Sequence, residues 1–319
     1  MEEIRREEIR LIAKFSNWSS TAVSQVLNKN IYNDSNSWIR FLKLFLLGTG
    51  VAFTVAGIIF FFAYNWDSMH KFFKLGLVGS LILVTVLAGS FIKMNPVLNK
   101  VLLTAGALLV GVFLAVFGQI YQTGANAYDL FLNWTLFIVI WVAIVNFAAL
   151  WTVFITLVNI TIILYSEQVA HDWSVVFLFT LLFWINSLFL LLFMLGSKWI
   201  PALKMPQWFN YLLALAAITY ATMGVCAGLY DPPEAAFYLL LLTGAILYTA
   251  SVWHGLLRQK PFYLSIVGFS GIIMVTALLI KISESAGMFF FISLFIIASI
   301  TALILLLVKL HKRWSRRLD

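Results

Sequence analysis

The chain has 319 residues, of which 62% are apolar and only 11% are charged. Soluble globular domains have about 45–50% apolar and about 25% charged residues, so this composition excludes a soluble domain and predicts that lipid surrounds most of the chain. The formal net charge of +8 does not indicate nucleic-acid binding, because no recognition module accompanies the basic residues.

Residues 1–40 are predicted to form a short cytoplasmic helical segment. Apolar residues recur there at helical spacing between charged residues, at Ile4, Leu11, Ile12 and Phe15. Ser19 or Ser20 can cap a second short helix over about residues 20–28. The opening sequence MEEIRREEIRLIAK lacks the apolar core of a cleavable signal peptide. We interpret the segment as a packed or interfacial cap, with partner binding as the alternative.

Ten apolar segments follow, each close to the roughly 20 residues that a membrane-spanning helix needs. They are residues 43–64, 73–92, 101–121, 130–147, 149–166, 174–195, 209–229, 236–257, 262–280 and 287–308. Turn and charge signals such as YDPPE at 230–234 separate most of them. The predicted protein is therefore an all-α integral membrane protein. It has a cytoplasmic segment at 1–40, a transmembrane bundle at 41–308 and a basic tail at 309–319.

The uncharged run at 130–166 can form either two helices in a tight hairpin or one long tilted helix. Lys and Arg collect on the cytoplasmic side of membranes, and this rule decides the number of spans. Ten spans with a cytoplasmic N-terminus place 18 of the 21 Lys and Arg residues inside, whereas nine spans leave no bias. We therefore predict ten spans with both termini in the cytoplasm. Seven acidic residues then lie at the outer face, namely Asp67, Asp129, Glu167, Asp172, Asp231, Glu234 and Glu284.

The segment GQIYQTGANAYDLFLNW, residues 118–134, gathers polar side chains between two very apolar runs. Gln119, Tyr121 and Gln122 lie in the last turn of the third span. A buried amide or hydroxyl without a partner there costs about 1–3 kcal/mol. These groups are therefore expected to bond to each other, to the NWD turn at 65–67, to water or to a ligand. An interhelical polar clasp and a site for a small molecule or lipid head group both remain open, with catalysis as a third interpretation.

Spans 1 and 3 also resemble each other, as GVAFTVAGIIFFFAYN at 50–65 and GVFLAVFGQIYQTGAN at 111–126 show. Each has two glycines seven residues apart, nearly on one helix face, where close backbone approach is possible. The likeness is either chance or a sign that spans 1 and 3 pack together. Packing would bring their polar ends to one place.

Groups that carry transport or catalysis are scarce in this sequence. No Asp, Glu, Lys or Arg lies near the middle of a predicted span, which weighs against an ion-coupled carrier. The mid-span amides Asn146, Asn159 and Asn186 are expected to form interhelical hydrogen bonds. The four histidines divide between the two faces, and the single cysteine, Cys226, excludes a cysteine-based metal site. With no catalytic or phosphate-binding motif, no metal and no cofactor are expected.

The segments GIIFFFAYNWD (57–67) and GQIYQTGANAYDLFLNW (118–134), preceded by a short helical segment, resemble a known family. They are similar to the bacterial polytopic membrane proteins catalogued as domain of unknown function 2157. The resemblance extends over about residues 1–165 and implies a protein of the bacterial cytoplasmic membrane. It marks as signature positions Asn65, Trp66, Asp67, Gly118, Gln119, Tyr121 and Asp129. It implies no activity.

The leading hypothesis is a non-catalytic binding or transport-type protein with a polar pocket at the outer surface. The expected lining is Asn65, Asp67, Gln119, Tyr121, Gln122 and Asp129. The carboxylates would bind a cation or a hydroxyl-rich head group, and the amides and Tyr121 would orient it. One alternative is a structural or accessory subunit of an envelope complex with a protein partner. Another is a membrane enzyme that acts on lipid.

Overall fold

The computed structural model describes residues 13, 15, 18–30, 35–65, 69–93, 95–122, 124, 126–282 and 286–316. Within these ranges the chain is all helical, with eleven α-helices, one short 3-10 helix at Pro201–Leu203 and no strand. The α-helices are α1 (Ser20–Asn30), α2 (Ser35–Asn65), α3 (Lys71–Phe91), α4 (Pro96–Tyr121), α5 (Ala127–Val145), α6 (Ala148–Gln168), α7 (Val175–Gly196), α8 (Gln207–Tyr230), α9 (Ala235–Leu257), α10 (Pro261–Ile282) and α11 (Ala286–Arg316). The predicted fold class is confirmed.

Helices α2 to α11 are each long and apolar enough to cross a membrane, which makes ten candidate spans in the described part of the chain. This number agrees with the sequence prediction. The first and last of these helices are longer than predicted, because α2 already begins at Ser35 and α11 continues to Arg316. At both ends apolar residues continue at helical spacing into the charged segments, so the helix does not stop where the hydropathy falls.

The ambiguous run at 130–166 forms two helices joined by a two-residue turn. Asn146 ends α5 in the left-handed conformation, with φ of 43°, and its backbone N–H bonds to Val142 O. Asparagine tolerates this conformation better than most residues, which suits it to the position after a helix. Its Oδ1 accepts a hydrogen bond from Trp151 Nε1 at 3.2 Å, and Lys100 Nζ reaches its carbonyl oxygen at 3.4 Å. Asn146 is therefore a turn residue and not a mid-span amide.

The chain divides into two compact units, residues 1–56 with 304–319 and residues 57–303. The first unit holds α1, the beginning of α2 and the end of α11. Large apolar side chains of α2, including Trp38, Phe41 and Phe45, are exposed there, and neighbouring rings contact each other. Apolar side chains spread over a long helix are stable in hydrocarbon, so this face fits contact with lipid.

The second unit has its largest core among α5, α6, α7 and α8. Ile138, Leu150, Phe193 and Phe209 are buried in one cluster, and the rings of Phe193 and Phe209 meet edge to face at 5.0 Å. A second cluster joins α7, α8 and α9, and a third, smaller one lies between α3 and α4. Consecutive helices from α3 to α8 pack side by side, and α10 packs against both α8 and α9. This scaffold holds the α4–α5 pair.

Most buried polar side chains of the second unit are hydrogen bonded within or between helices, although Ser187 Oγ has no partner among the described residues. Asn159 and Asn186 form two amide–amide bonds of 2.8 and 3.2 Å between α6 and α7, as the sequence predicts for mid-span amides. Thr222 and Tyr248 each share a 2.5 Å hydrogen bond with Ser270, which links α8, α9 and α10. Most other hydroxyls bond to a carbonyl one turn earlier in their own helix, which satisfies them without water.

Hydrogen bonds between turns show which turns share an end of the second unit. Tyr128 N–H donates to Gln168 Oε1 at 3.0 Å, and Ser174 Oγ donates to Glu234 Oε1 at 2.5 Å. The α4–α5, α6–α7 and α8–α9 turns therefore lie at one end, which we call the acidic end. Its described acidic residues are Asp129, Glu167, Asp172, Asp231 and Glu234. The opposite end carries Lys100, Lys198, Lys204, Arg258 and Lys260.

Candidate functional site

A tryptophan of α5 joins α4 and α5 below their connecting turn. Trp134 Nε1 donates to Ala107 O at 2.8 Å, and its ring lies against Gly111. A Cβ at Gly111 would stand 2.5 Å from the ring, so only glycine leaves room for it. The indole N–H is thus hydrogen bonded, and the ring holds α4 and α5 in contact near Gly111. This contact fixes the position of the α4–α5 turn.

The glycines of spans 1 and 3 have different surroundings, although their sequences are alike. Gly111 faces Trp134 of α5, whereas no neighbouring group among the described residues lies within 4 Å of the Cβ position at Gly57 of α2. In the described part of the chain, Ile58 instead packs at the small cluster of Val78 and Val116. A branched side chain fills that space, so the helices meet through side chains and not through close backbone approach.

A cleft with a volume of about 720 Å³ lies at the acidic end, between the last turns of α4 and the first turns of α5. Its lining is Phe113, Leu114, Ala115, Phe117, Gly118, Gln119, Gln122, Gly124, Asn126, Ala127, Asp129, Leu130, Asn133 and Phe137. Ligand sites in proteins usually measure about 300–1,000 Å³, so the volume fits a small molecule or part of a lipid.

The turn above the cleft has an unusual backbone. Gln122 follows α4 in the left-handed region with φ of 43°, and Gly124 has φ of 61°. Glycine adopts this conformation without strain, whereas a glutamine there costs free energy. The two residues turn the chain toward Asn126, which precedes α5. The conformation at Gln122 places its side chain on the cleft.

Asp129 connects the turn to α5. Its Oδ2 accepts a 3.0 Å hydrogen bond from the backbone N–H of Asn126, as an acidic residue in the first turn of a helix commonly does. Its carbonyl oxygen accepts from Asn133 Nδ2 at 2.8 Å, one turn further along α5. The carboxylate is therefore held in place by the start of the helix, and its charge is stabilised there by the helix dipole.

Gln119 and Gln122 differ from these residues because their amides are not engaged. In the described ranges, neither side chain has a hydrogen-bond partner, and both are exposed. Gln119 nevertheless belongs to the apolar helix Pro96–Tyr121, which is a candidate span. Each amide offers two N–H donors and one carbonyl acceptor to whatever occupies the cleft.

The other half of the cleft is apolar. Phe113 and Phe117 of α4 line it together with Leu130 and Phe137 of α5. Gln122 and Phe113 are nine residues apart, which corresponds to about 13 Å along a helix. The lining thus changes from polar to apolar over a length close to half the roughly 30 Å hydrocarbon thickness of a bilayer.

The charge of the lining is simple. Among the described residues of the lining, Asp129 is the one ionisable residue, and none is Lys, Arg or His. No group of three or more His, Cys, Asp or Glu side chains that could hold a metal ion occurs among the described residues. The described lining therefore offers amides and one carboxylate for hydrogen bonding, and aromatic rings for apolar contact.

Three of the six residues expected to line a site, Gln119, Gln122 and Asp129, do line this cleft. Tyr121 lies beside it, with its ring 4.6 Å from that of the lining residue Phe117. Asp67 lies outside the described residues, as does the side chain of Asn65, the last residue of α2.

Sequence reasoning did not assign Asn126, Asn133 or the phenylalanines to the site. Asn133 stands four residues after Asp129, hence on the same helix face, and this spacing was a usable signal. The phenylalanines carry no such signal. An apolar residue in a membrane helix can face lipid, a neighbouring helix or a cleft, and the sequence pattern is the same in each case.

One buried cation was also missed. Lys74 is only 6% exposed, although it lies in the first turn of α3. Charges near the end of a predicted span are usually assigned to the aqueous boundary, so the sequence contained no sign of its burial. It lies one turn before Val78, on the side of α3 that packs against α4, and it is not part of the cleft lining.

Ten long apolar helices with lipid-compatible surfaces define a polytopic α-helical membrane protein. Residues 19–151 match the family model described as "Predicted membrane protein (DUF2157)". This match confirms the resemblance seen in the sequence, and it includes the whole cleft. No curated protein and no solved structure matches the chain.

Proposed function

We propose that this membrane protein binds a small molecule or a lipid head group in the cleft at the α4–α5 turn. The observation that carries the proposal is the pair of glutamine amides, Gln119 and Gln122, without protein partners in the described ranges at the polar half of a 720 Å³ cleft. The cleft has a polar half and an apolar half, which is the division expected for an amphiphile.

The alternative of a polar clasp is less well supported by these contacts. A clasp needs partners across the helix pair, as Asn159 and Asn186 have. Gln119 lies in an apolar helix, where an amide without a partner is costly, and it has no partner among the described residues. Water or a ligand must then provide its hydrogen bonds. The absence of charged groups from the middle of the spans favours binding over ion-coupled transport.

We propose further that the membrane is the cytoplasmic membrane of a bacterium, with both termini in the cytoplasm. The described acidic residues of 57–303 all lie at one end, and most of its Lys and Arg residues lie at the other. This asymmetry supports the orientation, because Lys and Arg prefer the cytoplasmic side. The cleft then opens at the outer face.

The orientation is testable with single cysteines in a Cys226→Ala background. His171 and Gln259 are both exposed, in the α6–α7 and α9–α10 turns. A membrane-impermeant maleimide added to intact cells is expected to label His171→Cys and not Gln259→Cys. The reverse pattern would indicate the opposite orientation in the membrane, and equal labelling of both would contradict ten alternating spans.

Binding is tested by native mass spectrometry of the protein released from mild detergent. Wild type should retain a bound mass, and Gln119→Leu and Asp129→Asn should retain less of it while remaining folded. Asp129→Asn keeps an oxygen for the bond from Asn126 N–H and removes the charge, so the turn is preserved. Loss of folding in both variants with no ligand on wild type would support a structural subunit. A chemically altered lipid in overproducing cells would support an enzyme.

A further inference from the structure

We infer that the cleft selects an amphiphile with an uncharged, hydroxyl-rich head group, such as a glycosylated diacylglycerol, and discriminates against anionic phospholipids. This inference rests on the proposed binding function and goes beyond it by naming the chemical class of the ligand. It follows from the charge, the hydrogen-bonding inventory and the length of the cleft.

The charge of the lining disfavours an anion. Proteins usually bind phosphate with Arg, Lys or the N-terminus of a helix. The described lining residues include no Arg or Lys, and their one charged side chain, Asp129, is negative. The N-terminus of α5 does open at the cleft, but the Asp129 carboxylate already accepts the bond from Asn126 N–H. A phosphate group placed there would meet a carboxylate where it needs a cation.

The same bond weakens the case for a cationic head group. Asp129 is a single carboxylate whose charge is already stabilised by the first turn of α5. Asn133 donates to the backbone oxygen of Asp129 and not to its carboxylate, and the neighbouring Tyr128 side chain also bonds to this carboxylate. The two oxygens of a carboxylate accept several hydrogen bonds, so Asp129 can still accept one from a ligand. The residue therefore offers one acceptor, and it does not require a counter-ion.

The unengaged groups match hydroxyls. Each hydroxyl donates one hydrogen bond and accepts up to two, so it can pair with both ends of an amide. Gln119 and Gln122 offer N–H donors and carbonyl acceptors, and Asp129 offers an acceptor, on neighbouring turns. Several hydroxyls on one small ring or glycerol can satisfy these groups together. A choline or ammonium group cannot, because it accepts no hydrogen bond from an amide.

The apolar half requires a chain attached to that head group. Phe113, Phe117 and Phe137 continue the cleft for about 13 Å from Gln122 toward the centre of the membrane. A free sugar or glycerol would fill only the polar half and leave the rings in contact with other lipids. In a lipid, the head group fills the polar half and the attached acyl chain fills the apolar half. Such a molecule can enter the cleft from the bilayer.

The test measures competition among three probe lipids of matched acyl chains: monoglucosyl diacylglycerol, phosphatidylethanolamine and phosphatidylglycerol. The full chain is purified in a polyoxyethylene detergent, because a detergent with a sugar head would itself compete. Native mass spectrometry then measures the occupancy of each probe. The glucosyl lipid is expected to bind at least tenfold more tightly than phosphatidylglycerol, and Gln119→Leu or Gln122→Leu is expected to weaken it by at least tenfold.

Two further variants sharpen the result. Gln259 also has a positive φ, of 52°, but lies in the α9–α10 turn, so Gln259→Leu should leave lipid binding unchanged. Gln122→Lys introduces a cation into the cleft and should shift the preference at least tenfold toward phosphatidylglycerol. Thermal unfolding in the same detergent verifies that each variant is folded.

The possible outcomes separate this inference from the proposed function. If either phospholipid binds as tightly as the glucosyl lipid, and the glutamine variants still weaken it, the cleft is a lipid site and the inferred head-group class is wrong. If no probe binds, or if folded Gln119→Leu and Gln122→Leu bind every probe as wild type does, both the inference and the proposed function are wrong.

Discussion

Two groups of amides in the same helical unit have opposite surroundings. Asn159 and Asn186 lie in the core between α6 and α7, at 7% and 0% exposure, and bond to each other twice. Gln119 and Gln122 lie on the cleft between α4 and α5, and in the described ranges their side chains bond to nothing. The residue chemistry is the same in both places. An amide that has a hydrogen-bond partner in the protein stabilises the fold, whereas an amide without one is available to a ligand.

The comparison predicts opposite responses to removal of an amide. In the core, loss of one amide leaves the other buried and unpaired, which costs stability. In the cleft, loss of an amide removes a ligand contact and leaves the protein as stable as before. The variants that follow are ordered by the size of the expected change in the free energy of unfolding.

Asn186→Leu should destabilise the protein by about 2 kcal/mol, because Asn159 keeps a buried amide without its partner. The double variant Asn159→Leu/Asn186→Leu should recover to within about 1 kcal/mol of wild type, because an apolar pair leaves no unsatisfied group. Reversible unfolding in detergent and a double-mutant cycle measure both values. Additive losses in the double variant would show that the two amides do not act as a pair.

Gly111→Ala should destabilise the protein by about 1–2 kcal/mol, because the added methyl group overlaps the Trp134 ring and overpacking is costly. It should also weaken lipid retention, since the same ring holds α4 against α5. Gly57→Ala is the matched control, because no neighbouring group of the described residues lies within 4 Å of the new methyl group. It should leave stability unchanged or slightly higher, as alanine favours helix. Equal effects of the two changes would argue against the Trp134 contact.

Gln122→Gly should raise stability by about 0.5 kcal/mol and reduce ligand binding at the same time. Glycine relieves the strain of a positive φ but adds conformational freedom to the unfolded chain, so the net gain is small. Gln259→Gly, at a similar φ, should raise stability alike without any change in binding. Thermal unfolding and native mass spectrometry measure the two effects. A loss of stability specific to Gln122→Gly would indicate a structural role for its amide.

Gln119→Leu should change the free energy of unfolding by less than about 0.5 kcal/mol, as is usual for a substitution that breaks no contact. The bound amphiphile should be lost or much reduced. The measurement is lipid retention beside thermal unfolding of the same preparation. A fall in stability as large as that of Asn186→Leu would place Gln119 in a clasp and remove the distinction between the two regions.

Much of the fold follows from local properties of the chain. Hydropathy predicted nine or ten spans, and the distribution of Lys and Arg selected ten, with two helices for residues 130–166. The structure has a turn there, at Asn146 and Phe147. The polar residues of the cleft were also recognisable, since Gln119 and Asp129 interrupt apolar runs. Local signals suffice because a membrane helix forms all its backbone hydrogen bonds within itself, so length and hydrophobicity define it.

The tertiary structure decided which of these polar groups have partners. Asn159 and Gln119 are alike in the sequence, as amides within apolar helices, and only the position of a second helix makes one a buried pair and the other a cleft residue. The same holds for the glycines, because Gly111 accommodates the Trp134 ring whereas Gly57 has no close neighbour among the residues that the structure describes. In a helical membrane protein nearly every outward position is apolar, so periodicity does not reveal the neighbour. Contact between helices depends on the shapes of side chains far apart in the sequence, and only the folded arrangement brings those shapes together.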